Sequence, residues 1–222
     1  MIGIGITTYN RPELLKKCIS HIEANTDCAY KLHIAQDLEE DRKGVAKRKN
    51  ECLFHLQDCD YIFLFDDDCY PLKKGWDSFI IEAHLATGNH HFVYNKEPFC
   101  SINHLNFIGK WCLESYDGSG APLMFITKKV LEEIGGYYTG YDTYGYEHIG
   151  YSMRIKRAQL TTNWFLSIRG LDEFIYSMDY EEEDFFNQKS SMPFEKKMQL
   201  TERNRIICNT EDQVQYQKLD YL

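Results

Sequence analysis

Proline and glycine are scarce in this sequence. The 222 residues include only 5 Pro and 14 Gly, which excludes a collagen-like repeat and a low-complexity chain. Hydrophobic residues make up 43% and charged residues 27% of the chain, so there are enough apolar side chains for a packed core. The length fits one large domain or two small ones.

Positive charge is in deficit. The chain has 25 Lys and Arg against 34 Asp and Glu, a net charge of −9 with neutral histidine. Such a balance disfavours non-specific binding to nucleic acid or to an anionic membrane. An anionic ligand is still compatible with this charge if a metal ion or a local basic face binds it.

Metal-binding cysteine spacings and long apolar runs are absent. The eight cysteines form no CxxC pair, and no Cys/His spacing is that of a zinc ribbon or finger. No apolar run approaches the roughly 20 residues of a membrane span. The first six residues lack the basic region of a signal peptide. We therefore expect a soluble, reduced, cytoplasmic protein.

The first half of the chain alternates strand and helix patterns. Ile2, Ile4 and Ile6 alternate with glycine, as in a short buried strand. Residues 31–36 and 60–65 predict two further strands, and an apolar periodicity typical of a helix follows each strand. This order predicts an α/β fold with a mixed, mainly parallel sheet flanked by helices in a single domain.

Polar residues follow each of the three predicted strands. They are the segment Thr8-Tyr9-Asn10-Arg11, then Asp37, then Asp66-Asp67-Asp68. Ligands of such sheets bind outside the carboxyl ends of the strands. We therefore expect these three segments to meet in one crevice.

The aspartate triplet is the most informative of these segments. Three carboxylates directly after a buried strand repel one another, and a divalent cation would neutralise them. Oxygen ligands suit Mg²⁺ or Mn²⁺, which keep open positions for substrate phosphates. The alternative is an acidic turn that caps the following helix.

Five motifs in a fixed order resemble those of nucleotide-sugar glycosyltransferases of the GT-A fold, close to the family-2 type. The resemblance covers roughly residues 1 to 165. The motifs are Ile4–Arg11 (IGITTYNR), Gly44–Asn50 (GVAKRKN), Tyr61–Pro71 (YIFLFDDDCYP), Pro122–Tyr137 (PLMFITKKVLEEIGGY) and Gly145–Arg154 (GYEHIGYSMR).

The resemblance implies a nucleotide site on the first two strands. Thr8, Tyr9 and Arg11 would lie under the nucleotide, with Tyr9 near the base and Arg11 near phosphate or base oxygens. Asp37 matches the acidic residue that accepts a hydrogen bond from a uracil N–H, and its alternative is a turn residue at a strand end. Lys49 stands where the family usually has Arg, so it keeps the charge but loses the planar fork.

The resemblance also implies a D-x-D metal site. Asp66 would face the ribose and bind the metal, Asp68 would bind the metal, and Asp67 between them is assigned to the donor nucleotide. The cofactor would be Mn²⁺ or Mg²⁺, which bridges the two phosphates and stabilises the diphosphate leaving group.

Glu147-His148 departs from the Glu-Asp pair that is usual in the family. We expect both residues to be catalytic, with Glu147 favoured as the base that deprotonates the acceptor. His148 is the alternative base or a metal contact, and Asp142 is the reserve carboxylate.

These expectations describe a metal-dependent, inverting glycosyltransferase that uses a nucleoside diphosphate sugar, a UDP-sugar first, and an unidentified acceptor. The acceptor could be a glycan, a lipid-linked sugar, a protein or a modified base. Two alternatives are a nucleotidyltransferase and a catalytically silent carbohydrate-binding or scaffold protein of the same fold. We divide the domain into a donor half at 1–95 and an acceptor and catalytic half at 96–180, followed by a polar tail at 181–222 that wraps the domain or is partly disordered.

Overall fold

A five-stranded sheet forms the centre of the computed structural model, which describes residues 1–141, 143–181, 192–211 and 216–222. Its strands are β1 (Ile2–Tyr9), β2 (Tyr30–Asp37), β3 (Tyr61–Asp66), β5 (His91–Val93) and β8 (Leu123–Thr127). They lie in the order β2-β1-β3-β8-β5. The first three strands are parallel, and β8 runs antiparallel to both β3 and β5.

Helices cover both faces of this sheet, which confirms the predicted single α/β domain. They are α1 (Pro12–Asn25), α2 (Val45–Leu56), α3 (Trp76–Thr87), α4 (Lys128–Ile134) and α5 (Glu147–Arg157). The period of two along β3 divides the core: Phe63 and Phe65 face the layer of α1 and α3, whereas Ile62 and Leu64 face the layer of α2 and α5.

Glycine in β1 sets the distance between the sheet and α2. The isoleucines of β1 pack on the α1 side, so Gly3 and Gly5 face α2. A Cβ atom on Gly5 would lie 2.8 Å from the Cβ of Cys52, closer than packed carbon atoms approach. The two glycines therefore let α2 lie close against the sheet, and α2 carries Lys49.

Two smaller sheets complete the domain. One has the order β6-β7-β9, with β6 (Ile102–Ile108), β7 (Trp111–Tyr116) and β9 (Leu166–Ile168). The other pairs β4 (Cys69–Pro71) with β10 (Ile175–Ser177). This second pair begins one residue after Asp68 and fixes the chain that follows the aspartate triplet.

Helix α6 (Phe194–Glu211) lies in the segment 181–222, which the sequence suggested as a polar tail. Beyond it the chain returns to the domain, where Gln217 pairs with Gly135 in a β-bridge. Asn50 of α2 donates to the Asp220 carbonyl at 2.9 Å. Among the described residues, no helix combines the length and the apolar character needed to cross a membrane.

Candidate functional site

The ends of β1 and β3 meet as the sequence predicted. The two strands are parallel neighbours with Thr7 aligned to Asp66, so successive residues of the two segments face one another. The Thr7 hydroxyl donates to Asp66 Oδ1 at 3.1 Å, and the Thr8 hydroxyl donates to Asp67 Oδ2 at 2.5 Å. Hydroxyl groups of two adjacent threonines on β1 thus orient two of the three aspartates.

Arg11 contacts the carboxylates of Asp67 and Asp68. Its Nη1 lies 2.6 Å from Asp68 Oδ2, its Nε donates to Asp67 Oδ2 at 3.2 Å, and its Nη2 forms an ion pair with Asp67 Oδ1. The two carboxylates are 0% and 4% exposed, whereas the Arg11 side chain is 30% exposed. We call Arg11, Asp67 and Asp68 the Arg11 cluster.

Burial has the largest effect on the pKa values of the two aspartates in the Arg11 cluster. It raises the pKa of Asp67 to about 6, and Arg11 and the hydrogen bond from Thr8 oppose it only in part. Burial also raises the pKa of Asp68 to about 7, with Arg11 opposing the shift and the charge of Asp179 adding to it. One guanidinium thus balances two carboxylates incompletely.

Lys49 projects from α2 to a second group of charges. Its side chain is 2% exposed, and its Nζ lies 3.7 Å from Asp66 Oδ1 and 3.7 Å from Glu147 Oε1. Burial lowers the pKa of Lys49, but the charges of Asp66 and Glu147 outweigh burial and raise it overall. The ammonium therefore links the end of β3 with the start of α5.

Glu147 and His148 complete this second group. His148 Nδ1 lies 3.3 Å from Glu147 Oε1, and its Nε2 lies 2.8 Å from the Ser119 carbonyl oxygen. Burial raises the pKa of Glu147, but the hydrogen bond from His148 and the charges of His148 and Lys49 outweigh burial and lower it to about 2. We call Lys49, Asp66, Glu147 and His148 the Lys49 cluster.

Asp37 lies beside Tyr9 in the sheet register, but its carboxylate points into its own loop. Oδ1 accepts from the Lys43 amide at 2.7 Å and from Arg48 Nε at 3.2 Å, and Oδ2 accepts from the Gly44 amide at 2.9 Å. This carboxylate thus binds the backbone just ahead of α2. The geometry is that of the turn residue that the sequence left as the alternative.

Tyr9 is covered by the same loop. Its hydroxyl donates to Glu39 Oε2 at 2.7 Å, and the Arg42 guanidinium carbon lies 4.0 Å from the ring centroid. Arg42 Nε is buried without a hydrogen-bond partner among the described residues. One face of the predicted base-stacking ring is therefore occupied by a cation.

The structure thus divides the predicted site residues into three neighbouring groups. Thr8 joins the Arg11 cluster, Asp66 joins Lys49 and the catalytic pair, and Tyr9 and Asp37 lie under the loop of residues 38–44. Asp142, the reserve carboxylate, lies outside the described residues.

Sequence reasoning missed Thr7 and Arg42, and it left Asn50 open. Thr7 was detectable, because strand register places it beside Asp66 once β1 and β3 are paired. Arg42 gave no signal in a charged loop. Asn50 has a structural role: it donates to the Tyr137 carbonyl at 2.9 Å and accepts from the Tyr137 amide at 2.6 Å.

The carboxylate oxygens at this edge of the sheet are ligand atoms that suit a hard divalent cation. Asp66 and Asp68 are carboxylates separated by one residue, and Mg²⁺ sites commonly use one or two carboxylates with phosphates and water. Within the described part of the chain, no group of three or more His, Cys, Asp or Glu side chains is arranged to hold a metal ion. Asp66 and Asp68 would therefore need further metal ligands from the substrate. Arg11 also forms an ion pair with Asp68.

Comparison with known proteins identifies the fold. No protein-family model and no curated protein sequence matches the chain. The catalytic domain of Drosophila β1,4-galactosyltransferase 7, in complex with xylobiose, is 15% identical and matches with a TM-score of 0.57 over 99% of this chain and 82% of its own. Residues 1–349 of S. aureus TarS are 12% identical and match with a TM-score of 0.52 over 90% of this chain and 68% of theirs.

A mannosyltransferase from Pyrobaculum calidifontis, in complex with GDP-Man and Mn²⁺, is 14% identical and matches 69% of this chain with a TM-score of 0.49. This chain spans about half the length of that mannosyltransferase, 51%. The likeness to the galactosyltransferase and TarS shows that the chain has a GT-A-like glycosyltransferase fold.

Proposed function

We propose that this protein is a glycosyltransferase that moves a sugar from a nucleoside diphosphate sugar to an acceptor hydroxyl. The observation that carries the proposal is the meeting of Thr8, Arg11 and the aspartate triplet at the carboxyl edge of a GT-A-like sheet. Ligands of such sheets bind at this edge. One matching structure is a galactosyltransferase, which favours this chemistry over nucleotidyl transfer.

The donor is proposed to be a UDP-sugar. Tyr9 offers an aromatic face for the base, and Asp37 lies next to it in the sheet register. A carboxylate has about four lone-pair positions, so Asp37 can accept one more hydrogen bond beyond those from its loop. A uracil N–H would supply that bond.

Asp66 and Asp68 are proposed to bind Mn²⁺ or Mg²⁺. When bound, such an ion supplies positive charge to the diphosphate as the glycosidic bond breaks. Thr7 fixes the Asp66 carboxylate, so this ligand is oriented before any substrate arrives. Arg11, at the same edge, supplies a planar guanidinium that can bind phosphate oxygens in pairs.

His148 is proposed to accept the proton of the acceptor hydroxyl, with Glu147 as its anionic partner. The low pKa of Glu147 makes its carboxylate a weak base near neutral pH, whereas an imidazole suits proton transfer in that range. Glu147 would hold the imidazole proton on Nδ1, and Nε2 would be unprotonated and released from the Ser119 carbonyl. Nε2 would then take the proton of the acceptor hydroxyl as the hydroxyl oxygen bonds to the anomeric carbon and the nucleoside diphosphate leaves. The arrangement follows the logic of a carboxylate–histidine pair, and we propose that transfer inverts the anomeric carbon.

A donor-hydrolysis assay tests the proposal. UDP-glucose, UDP-galactose, UDP-N-acetylglucosamine and GDP-mannose are incubated with the protein, with Mn²⁺ or with excess EDTA, and free nucleoside diphosphate is measured. We expect release from at least one UDP-sugar with Mn²⁺ only. Asp68→Asn should abolish release, whereas Asp58→Asn, a change at an exposed aspartate, should not.

The alternatives give different results in the same assay. Release of free pyrophosphate from a nucleoside triphosphate would indicate a nucleotidyltransferase. Binding of sugars with no turnover of any donor, in wild type and D68N alike, would indicate a silent carbohydrate-binding protein. Either outcome contradicts the proposed transfer.

A further inference from the structure

Arg11 is paired with two buried carboxylates at the aspartate edge. Its guanidinium contacts both Asp67 and Asp68, and the two carboxylates are buried. Charged groups buried in this way are strongly destabilising when they have no counter-charge. Arg11 therefore supplies positive charge to the same carboxylate, Asp68, that a divalent cation would use.

Arg11 is the most exposed member of its cluster. Asp67 is fixed by the Thr8 hydroxyl at 2.5 Å, and the backbone after Asp68 is fixed by the pairing of β4 with β10. Arg11 instead lines an open groove of about 410 Å³ between α1 and β2, together with Leu15 and Gln36. The groove leaves open space beside this side chain.

We infer that Arg11 is an internal counter-ion that a divalent cation displaces from Asp68 and that then binds the diphosphate of the donor. The inference rests on the proposed function and concerns this chain's own guanidinium. With Arg11 on Asp68, metal binding alone is weakened because an existing ion pair must break. With diphosphate present, the released guanidinium gains a bidentate anionic partner.

The consequence is positive coupling between metal and donor. Each ligand favours the state in which Arg11 has left Asp68, so each increases the affinity for the other by the same factor. Coupling of this kind usually amounts to about 5- to 150-fold in affinity. Removal of Arg11 should separate the two binding events.

Mn²⁺ titration tests this inference without any turnover. Free Mn²⁺ is measured by electron paramagnetic resonance, and UDP binding at saturating Mn²⁺ is measured by calorimetry. We expect Arg11→Met to bind Mn²⁺ alone about tenfold more tightly than wild type and to bind UDP about tenfold more weakly. Lys31→Met, which removes an exposed cation paired with Asp58, should change neither affinity.

Arg11→Lys serves if Arg11→Met does not fold. A single ammonium cannot bridge two carboxylates as a guanidinium does, so this variant should bind Mn²⁺ severalfold more tightly than wild type. Unchanged or weaker Mn²⁺ binding in the Arg11 variants overturns the inference. If Asp68→Asn nevertheless loses Mn²⁺ binding, the proposed metal site at Asp68 stands without the role inferred for Arg11. Absence of Mn²⁺ binding in every protein overturns both, and the donor-hydrolysis assay judges the proposed transfer separately.

Discussion

The Arg11 cluster and the Lys49 cluster lie side by side, yet their buried carboxylates shift in opposite directions. Burial raises the pKa of Asp67 to about 6 and of Asp68 to about 7. In the Lys49 cluster the opposing interactions win, and the pKa of Glu147 falls to about 2. The two clusters differ in the groups that oppose the effect of burial.

In the first cluster, one guanidinium that is 30% exposed forms ion pairs with two buried carboxylates. In the second, Glu147 has a fully buried ammonium at 3.7 Å and a histidine at 3.3 Å. The hydrogen bond and the charge of His148 lower the pKa of Glu147 most, and the charge of the buried Lys49 adds to them. Glu147 is therefore held as a carboxylate, whereas Asp67 and Asp68 have pKa values closer to neutral pH.

The largest expected effect is on sugar transfer, at the Lys49 cluster. His148→Asn should lower the transfer rate at saturating donor by about 10²- to 10⁴-fold, the usual cost of losing a general base. Glu147→Gln should cost less, because glutamine can still accept a hydrogen bond from Nδ1. Donor affinity should change little in either variant.

His104→Asn is the matched control for this comparison, since His104 lies on β6, away from the aspartate edge. Its transfer rate should equal that of wild type. If Glu147→Gln is inactive while His148→Asn stays near wild type, the carboxylate is the base, as the sequence suggested, and the roles in the pair are reversed.

The next largest effect concerns the stability that Lys49 provides. Lys49→Met removes the buried cation that faces Asp66 and Glu147, and breaking a buried ion pair costs about 3–5 kcal/mol. Lys31→Met removes an exposed cation that pairs with Asp58 and should cost about 0–1 kcal/mol. Urea denaturation of both variants measures the difference, and equal stabilities would contradict the contrast between buried and accessible cations.

The two clusters should contribute to the pH dependence of folding stability in opposite directions. The pKa of Glu147 is lowered from 4.5 to about 2 in the folded protein, so its contribution is present above pH 4.5 and is lost as the pH falls towards 2. This corresponds to roughly 3 kcal/mol in total, of which roughly 2 kcal/mol is lost by pH 3. The raised pKa of Asp67 acts in the opposite sense and disfavours folding as the pH rises from about 4 through 6.

Chemical denaturation of wild type and Glu147→Gln between pH 6 and pH 3 checks the sign. The difference in unfolding free energy between the two proteins should shrink towards low pH. A difference that stays constant would mean that Glu147 is not held as a carboxylate by Lys49 and His148. Glu51→Gln, at a carboxylate paired with Arg48 outside both clusters, provides the control.

The central sheet could be predicted because its signals are local. The period of two in β1 and the apolar run of β3 identified two strands, and the strand–helix order implied their parallel pairing. The sequence did not predict the hairpin of β6 and β7, because β6 exposes polar residues such as His104 and has no continuous apolar run. Helix α6 was not predicted either, since its mixed polar sequence has no clear apolar face.

The sequence suggested a set of candidate site residues but not the contacts among them. The resemblance pointed to Arg11, Lys49 and Asp66, and strand pairing explained why the ends of β1 and β3 meet. Which cation pairs with which carboxylate depends on side-chain direction and burial, and neither follows from spacing. Asp37 illustrates this limit, because its carboxylate turns towards the amides that precede α2.

The smallest expected effect concerns a third cation, Arg42, which is half-buried on the face of Tyr9. A base that stacks on that face must first displace the guanidinium, and a cation–π contact at an accessible site is worth about 0.5–1 kcal/mol. Arg42→Ala should therefore strengthen UDP binding by about two- to fivefold, whereas Lys43→Ala in the same loop should leave it unchanged. Calorimetry with UDP and with CDP measures both variants, and an equal gain for the two nucleotides is expected because stacking does not read the base edge. Weaker binding in Arg42→Ala would mean that the guanidinium closes over the bound base, which would make Arg42, like Arg11, a cation that changes partner when the donor arrives.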